Sequence, residues 1–111
     1  MLDKDQYCLE TISEAIDRIL EYTSGIESAD SFNNDYKNFD ATMMNFVVIG
    51  EMVSKLSEDF KRKHSKIEWI KIKGFRNIVA HDYFGIDAEE VWQIIKNKIP
   101  SLKTDIQQLI R

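Results

Sequence analysis

Cysteine, proline and glycine are scarce in this sequence, and each scarcity excludes a class of protein: its 111 residues include one cysteine, one proline and four glycines. A lone Cys8 cannot form an intrachain disulfide or assemble a cysteine-based zinc site. So few breakers among many Ile, Leu, Lys and Glu residues disfavour a turn-rich all-β fold. We therefore predict an all-α protein in which Cys8 is a packing residue rather than a reactive thiol.

Long hydrophobic segments are also missing. The longest apolar run is Phe46–Ile49, far short of the roughly 20 residues that a membrane span requires. The first residues, M-L-D-K-D-Q-Y, have neither the basic nor the apolar region of a signal peptide. With 43% hydrophobic and 31% charged residues, the composition is that of an ordinary globular protein. We expect one soluble, cytoplasmic domain over residues 1–111 that has no contact with a membrane.

Apolar residues recur at helical spacing along most of the chain, and no segment is typical of a strand. The pattern predicts an antiparallel bundle of four to five helices. The predicted elements are helices over about residues 4–23, 37–62 and 66–81, a fourth helix capped by Asp87, a last segment after Pro100, and one short turn between Ile26 and Phe32.

Gly50 lies inside the second predicted helix, where it costs roughly 1 kcal/mol of helix propensity relative to alanine. Such a cost predicts a compensating reason, namely the close approach of another helix.

Charge is unevenly distributed behind a net charge of −4. Residues 1–60 hold 13 acids and 4 bases, whereas residues 61–76 hold 7 bases and 1 acid. This basic run is either a solvated face or an electrostatic approach path for a polyanion. On the second interpretation Lys66, Lys71 and Lys73 are the candidate RNA-binding residues nearest the motif described next, with Lys61, Arg62 and Lys63 before them.

The segment R-N-I-V-A-H-D-Y, residues 76–83, ends the third predicted helix. On a helical wheel with Trp69 at zero, the apolar stripe lies between roughly 240° and 300°, and Asn77 and His81 lie near 80° and 120°. Arg76 falls near 340°, at the border of the stripe, where an arginine needs an anion or a structured partner. Arg76 and His81 are about 140° apart, so one helix makes half a site. Fraying, the reach of the arginine or a second copy of the helix would bring them together, and we favour the second copy.

These side chains suit one kind of chemistry. A histidine transfers protons near neutral pH, an arginine pairs with a phosphate, and an amide orients either group. Together they fit RNA cleavage by its own 2′-hydroxyl, which needs proton transfer and anion stabilisation but no metal or other cofactor. On spacing alone, however, an Arg and a His five residues apart occur by chance in many helices. The only other histidine, His64, has no grouping of ligands around it, and the sequence predicts no metal site.

In its context the motif resembles the HEPN superfamily, whose signature is R-x4-6-H, and it is most similar to the HepT-type toxins with R-x4-H-x-Y. The similarity continues through N-F-V-V-I-G-E-M at 45–52, Trp69, Y-F-G-I-D at 83–87 and V-W at 91–92, and covers about residues 5–103. Glu68 departs from the family, which often has proline there.

The resemblance implies that Arg76 and His81 are a catalytic pair supported by Asn77, in a homodimer whose two motifs form one composite cleft. It implies an endoribonuclease toxin of a type VII toxin–antitoxin pair, with RNA as substrate. It also implies a minimal nucleotidyltransferase antitoxin that silences the toxin by adding AMP to Tyr83. The alternative is a non-catalytic helical protein that binds such a nucleotidyltransferase.

For several residues near the motif, the sequence allows more than one interpretation. Asp82 either orients His81 or caps the chain reversal. Tyr83 and Phe84 are either functional or a hydrophobic plug, and Glu51 is either solvated, ion-paired or in contact with the cleft. Trp69 and Trp92 are expected to be core anchors rather than platforms for base stacking.

Overall fold

The computed structural model describes residues 1–111, and every regular element in it is helical. The seven α-helices are α1 (Asp3–Thr23), α2 (Ala29–Asn34), α3 (Tyr36–Lys55), α4 (Glu58–Lys63), α5 (Trp69–His81), α6 (Ala88–Asn97) and α7 (Ile99–Leu109). A single 3-10 turn, Tyr83–Gly85, follows α5. The predicted all-α class is confirmed.

The long helix α3 is the centre of the bundle, with α1 packed on one side and α5 on another. Both neighbours run antiparallel to it. Asp5, at the start of α1, binds Ser57 just beyond the end of α3, while Tyr83, just after α5, reaches Asp40 near the start of α3. The core lies chiefly between these three helices, and the predicted stripe of α1 is buried in it: Leu9, Ile12, Ile16 and Ile19.

One predicted helix is wrong: residues 37–62 form two helices, not one. α3 ends at Lys55, and Leu56 has an extended backbone with ψ of 142°. Ser57 then caps α4 by accepting a hydrogen bond from the backbone N–H of Phe60. The carboxylate of Asp5, only 1% exposed, accepts bonds from both the backbone N–H and the hydroxyl of Ser57. These bonds hold the break in place.

The remaining boundaries follow the predictions closely. Five helices have ten or more residues, as expected, and α2 and α4 add six residues each. α5 begins at Trp69, three residues later than predicted, and ends at His81. Asp87 caps α6 by accepting from the N–H of Glu89, and α7 begins at Ile99 with Pro100 in its first turn.

The two tryptophans anchor the ends of the bundle and are each 7% exposed, which confirms their predicted core positions. The Trp92 ring lies 5.6 Å from that of Phe32, joining α6 to α2. Cys8 is buried in α1, and this burial raises the pKa of its thiol. None of the helices is both long and apolar enough to cross a membrane.

Candidate active site

The motif helix α5 packs against α3 on one side and exposes the other. Trp69 and Val79 are buried, whereas Asn77 and His81 are exposed. This is the division that the helical wheel predicts. The two polar residues are therefore open to a substrate or to another protein chain.

Arg76 lies in the contact between α3 and α5, directly against Gly50. A Cβ atom at Gly50 would fall 2.5 Å from Cγ of Arg76 and closer still to its Cβ, so only glycine fits there without displacement. The predicted close approach at Gly50 is confirmed, and the approaching residue belongs to the motif itself. The stem of Arg76 is thus placed by helix packing rather than by a flexible side-chain contact.

The guanidinium of Arg76 pairs with Glu51, the residue after Gly50. Its Nη1 lies 3.1 Å from Oε1 of Glu51, and the arginine side chain is 19% exposed. Its Nε is buried without a hydrogen-bond partner. The anion that an arginine at this border requires is therefore Glu51. Because arginine side chains stay protonated at physiological pH, the pair is a guanidinium cation next to the partly exposed carboxylate of Glu51.

His81 ends α5 and makes no hydrogen bond or ion pair with Arg76 or any other residue. Its neighbour Asp82 turns away: a Cβ at Gly85 would fall 2.5 Å from Oδ2 of Asp82, so the carboxylate lies over Gly85. The backbone C=O of Asp82 also accepts from the N–H of Gly85. These contacts favour the chain-reversal interpretation of Asp82 and leave His81 free.

Tyr83, one residue further on, is tied back to α3. Its hydroxyl donates a hydrogen bond to Oδ1 of Asp40, and its ring meets that of Phe39 edge-on with 6.1 Å between centroids. Burial raises the pKa of the Tyr83 hydroxyl far above its ordinary value, and the bond to Asp40 and the charge of Asp40 add to the rise. The phenol is therefore neutral under physiological conditions.

Phe84 does not plug the bundle: its side chain is 101% exposed. For this residue the hydrophobic-plug interpretation is wrong. The 3-10 turn holds the Tyr83 ring against α3 and points the next ring into solvent, because successive side chains of so tight a turn diverge.

The three candidate RNA-binding lysines do not form one patch. Lys66 lies 3.7 Å from Asp105 of α7, and Lys71 lies 2.7 Å from Glu68. Lys73 makes no ion pair and is exposed one turn before Asn77, on the same side of α5. Of the three, only Lys73 shares the face that carries the polar motif residues.

That exposed face of α5 is also apolar. Ile70 is 89% exposed and Ile78 is 53% exposed, and both lie within the same arc of about 100° as Asn77 and His81. Gly74, between them, has open space around the place of a Cβ. A helix-interior glycine costs roughly 1 kcal/mol and has no packing reason within this chain. We call Ile70, Gly74, Asn77, Ile78 and His81 the open face.

The sequence does not identify Asp40 as a partner of the motif, and for Glu51 it allows an ion pair or a contact with the cleft without naming Arg76. The structure shows Glu51 ion-paired with Arg76. Asp40 and Glu51 lie 11 residues apart on α3, in the series Asp40, Met44, Val47, Glu51. Spacings of four, three and four residues put the series on one face of a helix. This was the available signal, but it does not say which neighbour the face contacts.

No three His, Cys, Asp or Glu side chains lie together in an arrangement that could hold a metal ion. The chemistry of the open face must therefore be judged from its histidine, amide and nearby guanidinium.

Comparison with known proteins matches the chain to one family of ribonucleases. The family model described as "Ribonuclease HepT-like" matches residues 12–109. The chain is 39% identical over 101 residues to "Probable ribonuclease HepT" of Thermococcus cleftensis, covering 91% of each chain. It is 32% identical over 103 residues to a candidate RNase of Caldanaerobacter subterraneus, covering 93% of this chain and 91% of the other. A candidate RNase of Methanocaldococcus jannaschii is 34% identical over 103 residues, 84% of its length. No solved structure gives a significant match.

Proposed function

The chain belongs to the HepT-like ribonuclease family, and from this premise we propose that it is a metal-independent endoribonuclease whose active site forms between two copies of the chain. The observation that carries the proposal is the open face of α5. It presents His81 and Asn77 to solvent beside two exposed isoleucines, while Arg76 lies about 100° around α5 from Asn77, held by Glu51.

The proposed reaction is attack of an RNA 2′-hydroxyl on the adjacent phosphate. His81 transfers the proton, because it is exposed and a histidine side chain can act as general acid or base near neutral pH. Arg76 exchanges its bond to Glu51 for the scissile phosphate and stabilises the developing charge. Asn77 positions the phosphate or the histidine. Such a reaction leaves a 2′,3′-cyclic phosphate on the cleaved strand.

A homodimer is supported by the same face. Arg76 and His81 diverge around α5, and nothing in the fold turns either one toward the other. A second copy packed on the open face by two-fold symmetry buries Ile70 and Ile78, and its close approach explains a glycine at position 74. This packing also places the motif of one chain opposite the motif of the other. We propose that Arg76 of one copy works with His81 of the second copy.

Incubation of the purified chain with RNA in EDTA tests the activity. We expect cleavage that EDTA does not abolish and that falls by about 10²-fold or more in Arg76→Ala and His81→Ala. His64→Ala is the matched control, because the His64 ring lies against Phe60, away from the open face of α5. This variant should cleave RNA at the wild-type rate. Complete loss in EDTA, or full activity in both motif variants, contradicts the mechanism.

Silencing is proposed to occur at Tyr83, by transfer of AMP from a minimal nucleotidyltransferase antitoxin. Tyr83 is half-buried two residues after His81, so a bulky anionic adduct would stand beside the cleft and repel RNA. The expected modification is a mass increase of about 329 Da on the wild type and none on Tyr83→Phe. Where the neighbouring reading frame encodes a minimal nucleotidyltransferase, a wild type that this enzyme and ATP leave unmodified contradicts this part.

The alternative function is a non-catalytic protein that binds the nucleotidyltransferase. The observation that favours it is the ion pair between Arg76 and Glu51. Glu51 neutralises Arg76, and His81 stands apart, so the motif is unassembled within one chain. This alternative predicts complex formation and AMP transfer without any RNA cleavage.

A further inference from the structure

Asp40 is the group in direct contact with the atom that the proposed silencing modifies. It lies on α3, 43 residues before Tyr83, and its Oδ1 accepts a hydrogen bond from the Tyr83 hydroxyl. Asp40 makes no ion pair and no other side-chain hydrogen bond. Asp40 is exposed, so a partner enzyme can approach its contact with Tyr83 from solvent.

No other base reaches the same hydroxyl. His81 forms no bond to it, and the carboxylate of Asp82 lies over Gly85. From α3, the only charged group that affects the titration of Tyr83 is Asp40. His81 and Asp82 flank Tyr83 in the chain without contacting its hydroxyl.

The environment of Tyr83 makes a base necessary. A neutral phenol is a weak nucleophile, and both burial and Asp40 raise the pKa of this one. At neutral pH almost none of it is ionised, so its proton has to leave during attack. A carboxylate already bonded to that proton meets the geometric requirement for a general base.

We propose that Asp40 is the general base and the positioning residue for modification of Tyr83. This role rests on the proposed AMP transfer. In the step, a bond forms between Oη of Tyr83 and the α-phosphorus of ATP. The bond from that phosphorus to the oxygen bridging to the β-phosphate breaks, pyrophosphate leaves, and the tyrosine proton passes to Oδ1 of Asp40.

The product of this step cannot keep the contact that produced it. The modified Oη has no proton to donate, and once Asp40 has released the transferred proton to solvent, the phosphodiester is an anion beside a carboxylate. The adduct therefore moves the Tyr83 side chain away from α3. Modification thereby breaks the hydrogen bond that joins the turn after α5 to the start of α3.

The test compares initial rates of AMP incorporation by intact mass spectrometry, using full-length chain, ATP, Mg²⁺ and the neighbouring-frame nucleotidyltransferase. Asp40→Asn can still accept the hydrogen bond but cannot take the proton, so we expect its rate at pH 7 to fall by about 10²-fold or more. Asp40→Glu should restore much of the rate. Asp30→Asn, the same change at an exposed acid that makes no side-chain bond, should leave the rate unchanged.

The pH profile separates a base from a structural role. Without its base, Asp40→Asn should gain about tenfold in rate per pH unit as tyrosinate forms, while the wild type changes little between pH 7 and 9. Thermal melting should be nearly unchanged, because Asp40 is exposed.

Equal rates of AMP incorporation for wild type and Asp40→Asn, or parallel pH profiles, overturn the role of Asp40 but not the proposed silencing at Tyr83. An unmodified wild type overturns the proposed silencing and this role with it, so the two failures are distinguishable.

Discussion

Arg76 is held at two points, and the two have different consequences. Its stem lies against Gly50, which fixes where the side chain leaves α5, and its guanidinium bonds to Glu51, which fixes where the charge rests. The first contact is apolar and dense. The second is an exchangeable ion pair with a carboxylate that is 45% exposed. On the proposed mechanism, substrate phosphate can therefore replace Glu51 without any rearrangement of the helix packing.

We predict that Gly50→Ala destabilises the protein and displaces the arginine. The added methyl overlaps the stem of Arg76. Such overpacking costs about 1–3 kcal/mol, and the gain in helix propensity, roughly 1 kcal/mol, offsets only part of it. We expect the free energy of unfolding in urea to fall by up to about 2 kcal/mol. Cleavage should fall by about 10²-fold, because displacement by about 1 Å is costly in catalysis.

Gly25→Ala is the control for this change. Gly25 has no atom within 4 Å of its Cβ position and no positive φ, so alanine should be accommodated there at little cost. If Gly50→Ala is as stable and active as Gly25→Ala, α3 and α5 are further apart than described.

Among the elements, the break between α3 and α4 is the one that the sequence pattern conceals. Val53, Leu56 and Phe60 continue the apolar stripe at helical spacing, and all three are buried. The stripe is therefore the same for one helix or two. The break depends on Ser57 and on Asp5, 52 residues earlier, which a local pattern cannot reveal.

We predict that Ser57→Ala lowers the free energy of unfolding by about 2 kcal/mol. It removes the N-cap bond of α4, worth about 1 kcal/mol, and it deprives the buried Asp5 carboxylate of one of two partners. Ser28→Ala removes only an exposed cap bond at α2 and should cost about 1 kcal/mol or less. Equal losses in the two variants, measured by urea denaturation, would show that Asp5 contributes nothing here.

What the sequence could predict follows from which contacts are local. Periodicity and caps locate the five long helices approximately, the C-terminal end of α5 and the Asp87 cap, because these depend on residues within one or two turns. The same periodicity predicts which side of α5 is exposed and that Gly50 meets another helix. It does not identify Glu51 and Asp40 as the partners of Arg76 and Tyr83, since these pairs depend on the register between α3 and α5. Phe84 was equally undetermined, because its exposure follows from the 3-10 turn rather than from its type.

At the scale of the molecule, α5 presents an apolar face to water. Ile70 and Ile78 are both exposed on it, beside Asn77 and His81. A contiguous exposed apolar patch is typical of an interaction site. The dimer proposed above explains both the apolar character of the face and the divergence of Arg76 from His81.

We predict that Ile70→Glu yields a folded monomer without ribonuclease activity. In one chain this residue is almost fully exposed, and an acid near the N-terminus of α5 is favourable to the helix. In the dimer the change buries an unpaired carboxylate, which should raise the dissociation constant by about 100-fold or more. Analytical ultracentrifugation and RNA cleavage at the same concentration measure both effects.

Tyr7→Glu is the matched control, an exposed apolar residue on α1 that lies outside the open face, and it should remain dimeric and active. A monomeric Ile70→Glu that still cleaves RNA would separate activity from dimerisation.

The central claim, that Arg76 of one copy works with His81 of the second, is tested most directly by a mixed dimer. One chain carries Arg76→Ala and the other His81→Ala, each with its own affinity tag, and the heterodimer is purified through both tags. One of its two composite sites is then intact, so we predict about half the wild-type rate of RNA cleavage. A heterodimer as inactive as either variant homodimer, beside an active wild type, would contradict the claim.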